Sequence, residues 1–428
     1  MSGKDLVMPS RFEMFHTFGR IGILSFGGPA AQIALMHKVL VDEKAWLTEK
    51  QYLNALSFCM LLPGPEAMQL ATYAGWRITG VFGGLLAGLL FVLPGAFVIL
   101  ALASIYAYFG DIPLIAALFL GVKATVLIIV IEALLKVSKR ALKQNMHWVM
   151  AAIAFVGIFF LSLPFPLIVS GAGLYGFIFV SHQATGDKQP AKLGISDLRR
   201  SVRTIAIWLA IWILPLLVLD QLVEANILNV LAAFFSKLAV VTFGGAYAVL
   251  AYMAQDVVAQ FGWLSAGEMM DGLGLAETTP GPLILVTEFV GFLAAFKEGG
   301  FWLGVLGAIV TLWVTFVPCF LWIFTGAPYI EWISAQPRLS SALSMITAAV
   351  VGVILNLSIW FGLHVFFQSV TRESVGILTL WVPDIASLDW RVFGLSALAA
   401  LLLLKLKIGL LKVLAICAIL GLVLSIAF

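Results

Sequence analysis

Met60-Leu-Leu-Pro-Gly-Pro-Glu-Ala-Met-Gln-Leu-Ala-Thr-Tyr-Ala-Gly-Trp-Arg77 is an apolar stretch that is broken by Pro63-Gly64-Pro65. A second apolar stretch contains the same break, in Glu277-Thr-Thr-Pro280-Gly281-Pro282. Proline removes a backbone donor and clashes with the preceding helical turn, so each break ends one helical segment and begins another. In lipid, the bare backbone groups of a broken helix are tolerated only where they face protein or a wet cavity. We therefore predict that the two breaks face each other and form a binding site for an anion.

The composition places the chain in a membrane. Of its 428 residues, 62% are hydrophobic and 11% are charged, and the mean hydropathy is +1.07. A soluble protein of this length could not cover its surface with so few charges. Apolar runs of about 20 residues recur from end to end, which predicts an all-α polytopic membrane protein with about 13 transmembrane segments. The three cysteines lie inside apolar runs as small buried hydrophobes, so we expect no metal site. We also expect no cofactor and no nucleic-acid partner.

The first half of the chain recurs in the second half. Placing Phe243-Gly244-Gly245 on Phe26-Gly27-Gly28 fixes a constant offset in residue number (243 − 26). At the same offset, Trp263 falls on Trp46 and Pro280-Gly281-Pro282 falls on Pro63-Gly64-Pro65. After an insertion, Pro318 falls on Pro94 at a slightly larger offset (318 − 94). So many glycine, proline and tryptophan matches at one spacing predict an internal duplication.

The duplication divides the chain into four parts. We predict a first repeat at 1–181, a basic linker at 182–203, a second repeat at 204–365 and additional transmembrane segments at 366–428. The positive-inside rule places the linker and the basic cluster at 136–143 in the cytoplasm. The corresponding loop of the second repeat, between His364 and Trp390, carries Arg372 as its only cation and is predicted to face outward. The repeats would then be inverted, so that their broken helices meet near the bilayer midplane.

The breaks have the chemistry of an anion site. A half-helix that begins at Pro65 or Pro282 presents unpaired N–H groups and about half a positive charge, and glycine lets a ligand approach the backbone. Removing water from a small dianion costs tens of kcal/mol in a low-dielectric medium, so a cation is expected nearby. Arg20 and Lys237 occupy equivalent positions in the two repeats. Snorkelling to the interface is the alternative for both, and a structural ion pair is the alternative for Lys123.

Most substrate-binding candidates lie at the breaks. They are Arg20, Ser25, Gly27, Gly28, Pro63, Gly64, Pro65, Gln69, Lys123, Lys237, Thr242, Gly244, Gly245, Thr278, Thr279, Pro280, Gly281 and Pro282. The hydroxyl and amide side chains among them have an alternative role in stabilising their own helices. Glu66 and Glu277 lie beside the breaks, and because burial disfavours the charged form of a carboxylate, we predict that they carry protons.

The sequence contains no Walker A loop, no His-Glu-x-x-His and no Gly-x-Ser-x-Gly motif. We therefore expect neither ATP hydrolysis nor a recognised hydrolase activity, and predict that the protein is not an enzyme. Transport would have to use an ion gradient or run downhill.

Together, the motifs resemble the chromate ion transporter family in its long, two-domain form. The resemblance rests on Phe26-Gly27-Gly28-Pro29, Trp46-Leu47-Thr48, Pro63-Gly64-Pro65-Glu66, Gly75-Trp76-Arg77, Phe243-Gly244-Gly245, Trp263-Leu264-Ser265 and Thr278-Thr279-Pro280-Gly281-Pro282-Leu283. It implies a multi-pass protein of the bacterial inner membrane that exports chromate, confers chromate resistance and draws on the proton-motive force. It also implies that sulfate competes with chromate. The second repeat departs from the first at Tyr247 against Ala30 and at Leu283 against Glu66, so a symmetric site is not expected.

Other functions stay open at this point. One alternative is a transporter of sulfate or another oxyanion, and a second is an anion channel. A membrane-embedded enzyme acting on a lipid-linked substrate would need a dense cluster of His, Asp and Glu at one membrane face, which we do not find in the sequence. A homodimer is also left open.

Overall fold

The chain folds almost entirely into helices. The computed structural model describes residues 9–110, 112–180, 195–243, 246–330 and 336–427, so most of the predicted basic linker lies outside the described residues. Among the described residues, five helices are long and apolar enough to cross a membrane, and four shorter ones are also apolar. The predicted all-α membrane class is therefore confirmed, while the number of crossings and the inversion of the repeats stay predictions.

Seven helices are described before the linker. They are α1 (Arg11–Leu24), α2 (Gly28–His37), α3 (Glu49–Cys59), α4 (Glu66–Phe109), α5 (Pro113–Ala141), α6 (Asn145–Phe159) and α7 (Phe165–Phe179). A π-helical turn, Lys38–Glu43, extends α2.

Eight further helices are described from Ile195 onward, and the first of them includes the last residues of the predicted linker. They are α8 (Ile195–Leu222), α9 (Asn226–Val241), α10 (Ala246–Gln255), α11 (Ala266–Thr278), α12 (Val286–Gly326), α13 (Pro337–Phe366), α14 (Trp390–Ala400) and α15 (Leu410–Ala427). Short turns connect some of them: the π-helical turns Asp256–Gln260 and Leu401–Lys405, and the 3₁₀ turns Leu283–Leu285, Ala327–Tyr329 and Ile385–Ser387.

Local structure recurs at the offset that relates the two repeats. Helix α3 begins at a capping box, in which Thr48 and Gln51 exchange side chain-to-backbone hydrogen bonds of 3.0 and 3.3 Å. Helix α11 begins at the equivalent box, in which Ser265 and Glu268 exchange bonds of 2.7 and 3.1 Å. Each box satisfies two backbone donors that the first helical turn leaves without partners. Matching caps at equivalent positions support the duplication that the sequence predicts.

Helices α4 and α12 each fold back on themselves as a tight hairpin. The chain turns in α4 at Thr79 and Gly80 and in α12 at Gly299 and Gly300, where the φ angles of Gly80 and Gly300 are +71° and +75°. In α4, a Cβ atom on Gly75 would lie 2.1 Å from the carbonyl oxygen of Gly83, so the two arms touch backbone to backbone. Glycine is required at such an approach because any side chain would separate the arms.

The second hairpin repeats this contact with longer arms. A Cβ atom on Gly307 would lie 2.3 Å from the carbonyl oxygen of Gly291. The sequence separation of these two glycines (307 − 291) is twice that of Gly75 and Gly83 (83 − 75). The insertion that shifts the repeat offset therefore adds about one helical turn to each arm.

The hairpin tips indicate the depth of the breaks. Arg77 lies exposed beside the first tip, and Lys297 and Glu298 lie exposed beside the second. Charged side chains are stable at the membrane surface, so we place both tips there. The first arm, residues 66–79, is about 21 Å long, shorter than the hydrocarbon core of about 30 Å. The break that precedes this arm therefore lies inside the membrane.

The helices form two compact units, and each unit draws on both repeats. Unit 1 contains the described residues within Met1–Ala101, His182–Ala246 and Thr279–Ser340, and unit 2 contains those within Leu102–Ser181, Tyr247–Thr278 and Ser341–Phe428. Both Pro-Gly-Pro breaks belong to unit 1, and so do the described residues of the two Phe-Gly-Gly motifs.

In unit 2, the C-terminal helices pack directly on α5. A Cβ atom on Gly121 would lie 1.9 Å from the carbonyl oxygen of Cys417, so α5 and α15 are in backbone contact. The Ser396 hydroxyl of α14 donates to the carbonyl oxygen of Ala124 at 3.2 Å. The segments that follow the predicted repeats are therefore part of this unit's core.

A small β-hairpin that the sequence did not predict follows α13. Strands β1 (Val370–Val375) and β2 (Leu378–Pro383) pair antiparallel around Gly376, whose φ is +63°. The Arg372 guanidinium lies over the Trp381 ring, 5.8 Å from its centre. After the hairpin, Asp389 caps α14, and hydrogen bonds from Arg391 hold the pKa of the Asp389 carboxyl below its ordinary value.

The predicted inversion can be tested by labelling two single cysteines. Lys50→Cys and Ala259→Cys would lie at exposed positions in the two repeats, near Trp46 and Trp263. The three native cysteines are buried and should not react with a membrane-impermeant maleimide. If the repeats are inverted, one variant should be labelled in intact spheroplasts and the other only in everted vesicles. Labelling of both from the same side would contradict the inversion.

Candidate functional site

The C-terminal ends of two helices, α1 in the first repeat and α9 in the second, contact the Pro-Gly-Pro breaks. The Ser25 hydroxyl at the end of α1 donates to the carbonyl oxygen of Ile21 at 2.6 Å. The Thr242 hydroxyl at the end of α9 donates to that of Leu238 at 2.5 Å, which is the equivalent bond in the second repeat. Both side chains are buried. Because each hydroxyl is directed back at its own helix, the backbone carbonyl of each residue is left to point forward from the helix end.

Each Pro-Gly-Pro break hydrogen-bonds to the helix end of the other repeat. The Gly64 N–H donates to the carbonyl oxygen of Thr242 at 3.0 Å, and the Gly281 N–H donates to that of Ser25 at 2.8 Å. The φ angles of the two glycines are +108° and +92°, a backbone conformation that other residues rarely adopt. This exchange ties the two breaks into one arrangement within unit 1.

Beyond each break, the first helical turn presents buried amides. Those of Ala67 and Met68 follow the first break, and those of Leu283 and Ile284 follow the second. Within the described part of the chain, none of the four donates to a backbone carbonyl. All four residues are almost fully buried. Buried N–H groups without partners are costly, and amides at a helix start favour an anion.

Two buried glutamines fix the backbone of the breaks. The Gln69 side-chain amide donates to the carbonyl oxygen of Pro63 at 2.7 Å, and that of Gln32 donates to the carbonyl oxygen of Gly281 at 2.6 Å. The side-chain oxygens of both glutamines have no partner among the described residues. Each therefore remains able to accept a hydrogen bond from water or from a ligand hydroxyl.

Each break is packed tightly against a residue of the other repeat. A Cβ atom on Gly64 would lie 3.0 Å from Sγ of Cys319, on the second arm of α12. A Cβ atom on Gly95, on the second arm of α4, would lie 2.1 Å from the carbonyl oxygen of Pro280. Each repeat's hairpin thus covers the break of the other repeat.

The three candidate cations lie in different surroundings. The Arg20 side chain is 56% exposed, and its guanidinium is 3.9 Å from the carboxylate of Glu43. Lys237 lies on the exposed face of α9. The Lys123 ammonium pairs with the carboxylate of Asp271 in unit 2 at 3.2 Å, which realises the ion-pair alternative for this residue. Contact of any of the three with an anion stays a prediction.

The remaining candidates occupy the edges of the breaks. Gly27 and Gly28 begin α2 with φ angles of +85° and +77°. Thr278 donates to the carbonyl oxygen of Leu275 at 2.8 Å, and Thr279 is buried. Gly244 and Gly245 lie outside the described residues.

The two proton-carrier candidates differ in burial. Glu66 begins α4 and is partly exposed, whereas Glu277 is 5% exposed and accepts a hydrogen bond of 3.0 Å from the Tyr247 hydroxyl. Sequence reasoning noted Tyr247 only as a departure from symmetry. It missed Gln32 and Asp271, although a polar side chain inside an apolar run was the available signal for both.

Comparison with known proteins gives consistent matches. The sequence model of the chromate transporter family matches residues 12–177 and 230–422. The chain is 32% identical over 352 residues to the chromate transport protein of Pseudomonas aeruginosa, covering 80% of this chain and 79% of the relative. It is 30% identical to the probable chromate transport protein of Synechococcus elongatus, with 80% and 82% covered. An uncharacterized transporter of Methanocaldococcus jannaschii is 26% identical, with 83% and 86% covered. No solved structure gives a significant match.

Alanine at Gly64 should test the packing of the first break. Gly262→Ala is a matched control, because Gly262 also has a positive φ of +62° but open space around its Cβ position. Both variants suffer backbone strain of about 1–2 kcal/mol. Gly64→Ala must also displace Cys319 or Gln69, which adds about 1–3 kcal/mol of overpacking. Thermal denaturation in detergent should therefore rank Gly64→Ala well below Gly262→Ala. Equal melting temperatures would show that the break is not packed as described.

Proposed function

Because the chain belongs to the chromate transporter family, we propose that it carries chromate across the membrane and binds it at the two Pro-Gly-Pro breaks. The observation that carries this proposal is the exchange of hydrogen bonds, Gly64 to Thr242 and Gly281 to Ser25. The exchange fixes two helix starts, and with them four buried amides that have no backbone partner, in one unit. Chromate is a tetrahedral dianion, and its oxygens can accept hydrogen bonds from several amides at once.

The electrostatics favour an anion but call for further positive charge. Two helix starts together supply about one positive charge, which does not balance a dianion. We propose that Arg20 and Lys237 supply the rest, at equivalent positions in the two repeats. Their exposure suits a role in attracting the anion towards the breaks before it loses its water.

The proposed direction is export across the bacterial inner membrane, by antiport driven by the proton-motive force, with chromate resistance as the consequence. This part of the proposal rests on the family membership and on the two carboxylates beside the breaks, Glu66 and Glu277. The burial of Glu277 supports a proton-carrying role, because burial stabilises the neutral form of a carboxylate relative to its charged form.

Sulfate is the second candidate substrate. It shares the tetrahedral shape and the double charge of chromate, and backbone amides do not distinguish the two. The four amides that support chromate binding therefore support sulfate binding as well. We expect sulfate to compete with chromate for the same site.

Everted membrane vesicles provide the direct test of transport. Vesicles that contain the protein should accumulate chromate, an imposed proton gradient should increase the accumulation, and excess sulfate should reduce it. Vesicles prepared without the protein are the control. Equal chromate accumulation in both preparations would refute the proposed function.

A pair of variants separates anion contact from ion pairing at Arg20. Arg20→Ala removes the cation, and Glu43→Ala removes only its partner. Hydrogen bonds to a charged group contribute about 1.5–3 kcal/mol, so Arg20→Ala should weaken chromate affinity about tenfold or more. Glu43→Ala should leave the affinity close to that of the natural protein. If both variants transport alike, Arg20 serves only the surface ion pair.

A further inference from the structure

Unit 2 contains a buried carboxylate that the proposed anion site does not use. The Asp271 side chain on α11 is only 4% exposed. Its Oδ2 atom lies 3.2 Å from the Lys123 ammonium and accepts a hydrogen bond of 2.8 Å from the Tyr106 hydroxyl. Its Oδ1 atom has no partner among the described residues. The Oδ2 atom thus has two polar partners, whereas the Oδ1 atom is buried and can still accept a hydrogen bond or a proton.

This arrangement makes the protonation state of Asp271 easy to change. A buried ion pair gains little net stability, because the loss of hydration offsets the attraction between the charges. The unpartnered Oδ1 atom adds to the cost of the charged form. A proton on Oδ1 would give that oxygen a hydrogen to donate and remove the buried negative charge. It would also leave the Lys123 ammonium without its counter-charge.

Protons can reach the pair by way of Lys123. This residue lies ten positions after the start of α5 at Pro113, about 15 Å along a helix of 29 residues. Its side chain nevertheless keeps 28% of its surface exposed. A charged amine is too costly to face hydrocarbon at that depth, so we infer that water reaches it. The Lys123 ammonium itself packs against Gly267, where a Cβ atom would lie 3.1 Å from Nζ.

Charged and titratable groups on three helices surround Asp271. Helix α5 faces Asp271 with Lys123, and α4 faces it with Tyr106. On α11 itself, Glu268 lies three residues earlier and belongs to the capping box. Farther along α5, Glu132 is paired with Lys136 at 2.6 Å. The positive charge of Lys123 and the negative charge of Asp271 cancel, and Tyr106 is neutral. Binding of one proton therefore changes the total charge of these three side chains from zero to plus one.

Helix α11 connects the pair to the second break. Asp271 lies seven residues before Thr278, about 10 Å along the helix, and Thr279-Pro280-Gly281-Pro282 follows directly. The chain passes from unit 2 into unit 1 between Thr278 and Thr279. A change in the contact between α11 and α5 therefore acts at the end of the helix from which the break begins.

We propose that Asp271 binds a second proton, in addition to the one proposed for Glu277, that coupling to the proton gradient requires this second proton, and that Lys123 is the charge partner of Asp271. The proposal rests on the proposed transport function. Proton binding exchanges the Lys123–Asp271 attraction for a neutral carboxyl and a free ammonium, and α11 passes the change to the break. Binding of the proton and binding of the anion then influence each other reciprocally.

The test uses the full-length protein in vesicles and two measurements. Exchange of labelled chromate without a gradient reports on anion binding and movement, and stimulation by an imposed proton gradient reports on coupling. Asp271→Asn keeps the shape of the side chain but cannot take up a proton. We expect its exchange to persist while the stimulation, about fivefold or more in the natural protein, disappears. Glu268→Gln is the matched control, because glutamine also completes a capping box, and it should keep the stimulation.

A double variant separates coupling from simple packing. Lys123→Gln combined with Asp271→Asn removes both charges and retains a polar contact. If the pair only holds α11 against α5, this variant should regain stimulation by the gradient, and the proposal would be wrong. The proposal would also be wrong if the proton gradient still stimulated transport by the single variant Asp271→Asn. Loss of chromate exchange in both the single and the double variant would overturn it as well. Failure of the natural protein to exchange chromate would instead refute the proposed function.

Discussion

The structure depends on how two broken helices satisfy their backbone groups inside a membrane. Lipid offers no hydrogen bonds, so every N–H and C=O exposed by a break has to find a partner in the protein or in a wet cavity. In this chain, each break donates a hydrogen bond to the other repeat: the Gly64 N–H to the carbonyl oxygen of Thr242, and the Gly281 N–H to that of Ser25. Each repeat thereby completes the other. The amides that remain after this exchange are the groups available to a ligand, and their sign favours an anion.

The skeleton of the site is symmetric, whereas its side chains are not. Gln32, which holds the second break, corresponds to Val249, and Asp271 corresponds to Asn54 in the first repeat. The first repeat therefore supplies the glutamine that hydrogen-bonds to the second break. The second repeat supplies an ionisable carboxylate where the first repeat has an amide. The duplicated backbone is thus similar in the two repeats, whereas the side chains beside it have diverged.

The sequence predicted what depends on local chemistry. Proline and glycine mark the breaks because they alter the backbone at their own positions, and a constant spacing reveals the repeat without knowledge of the fold. Contacts between distant segments could not be predicted in this way. Gln32 reaches Gly281 in the other repeat, and Lys123 meets Asp271 from the other half of the chain, pairings that only tertiary packing determines. The β-hairpin could not be predicted either, because strand β1 is almost wholly exposed and lacks the alternation of apolar and polar residues that marks a half-buried strand.

The most direct measurement of the central claim is the position of chromate itself. X-ray data recorded at the chromium absorption edge, from crystals soaked in chromate, would locate the metal by its anomalous signal. The account predicts one strong peak beside the amides of Ala67, Met68, Leu283 and Ile284. A peak next to Arg20 and Lys237 but remote from these four amides would contradict it, as would the absence of any peak in a protein that transports chromate.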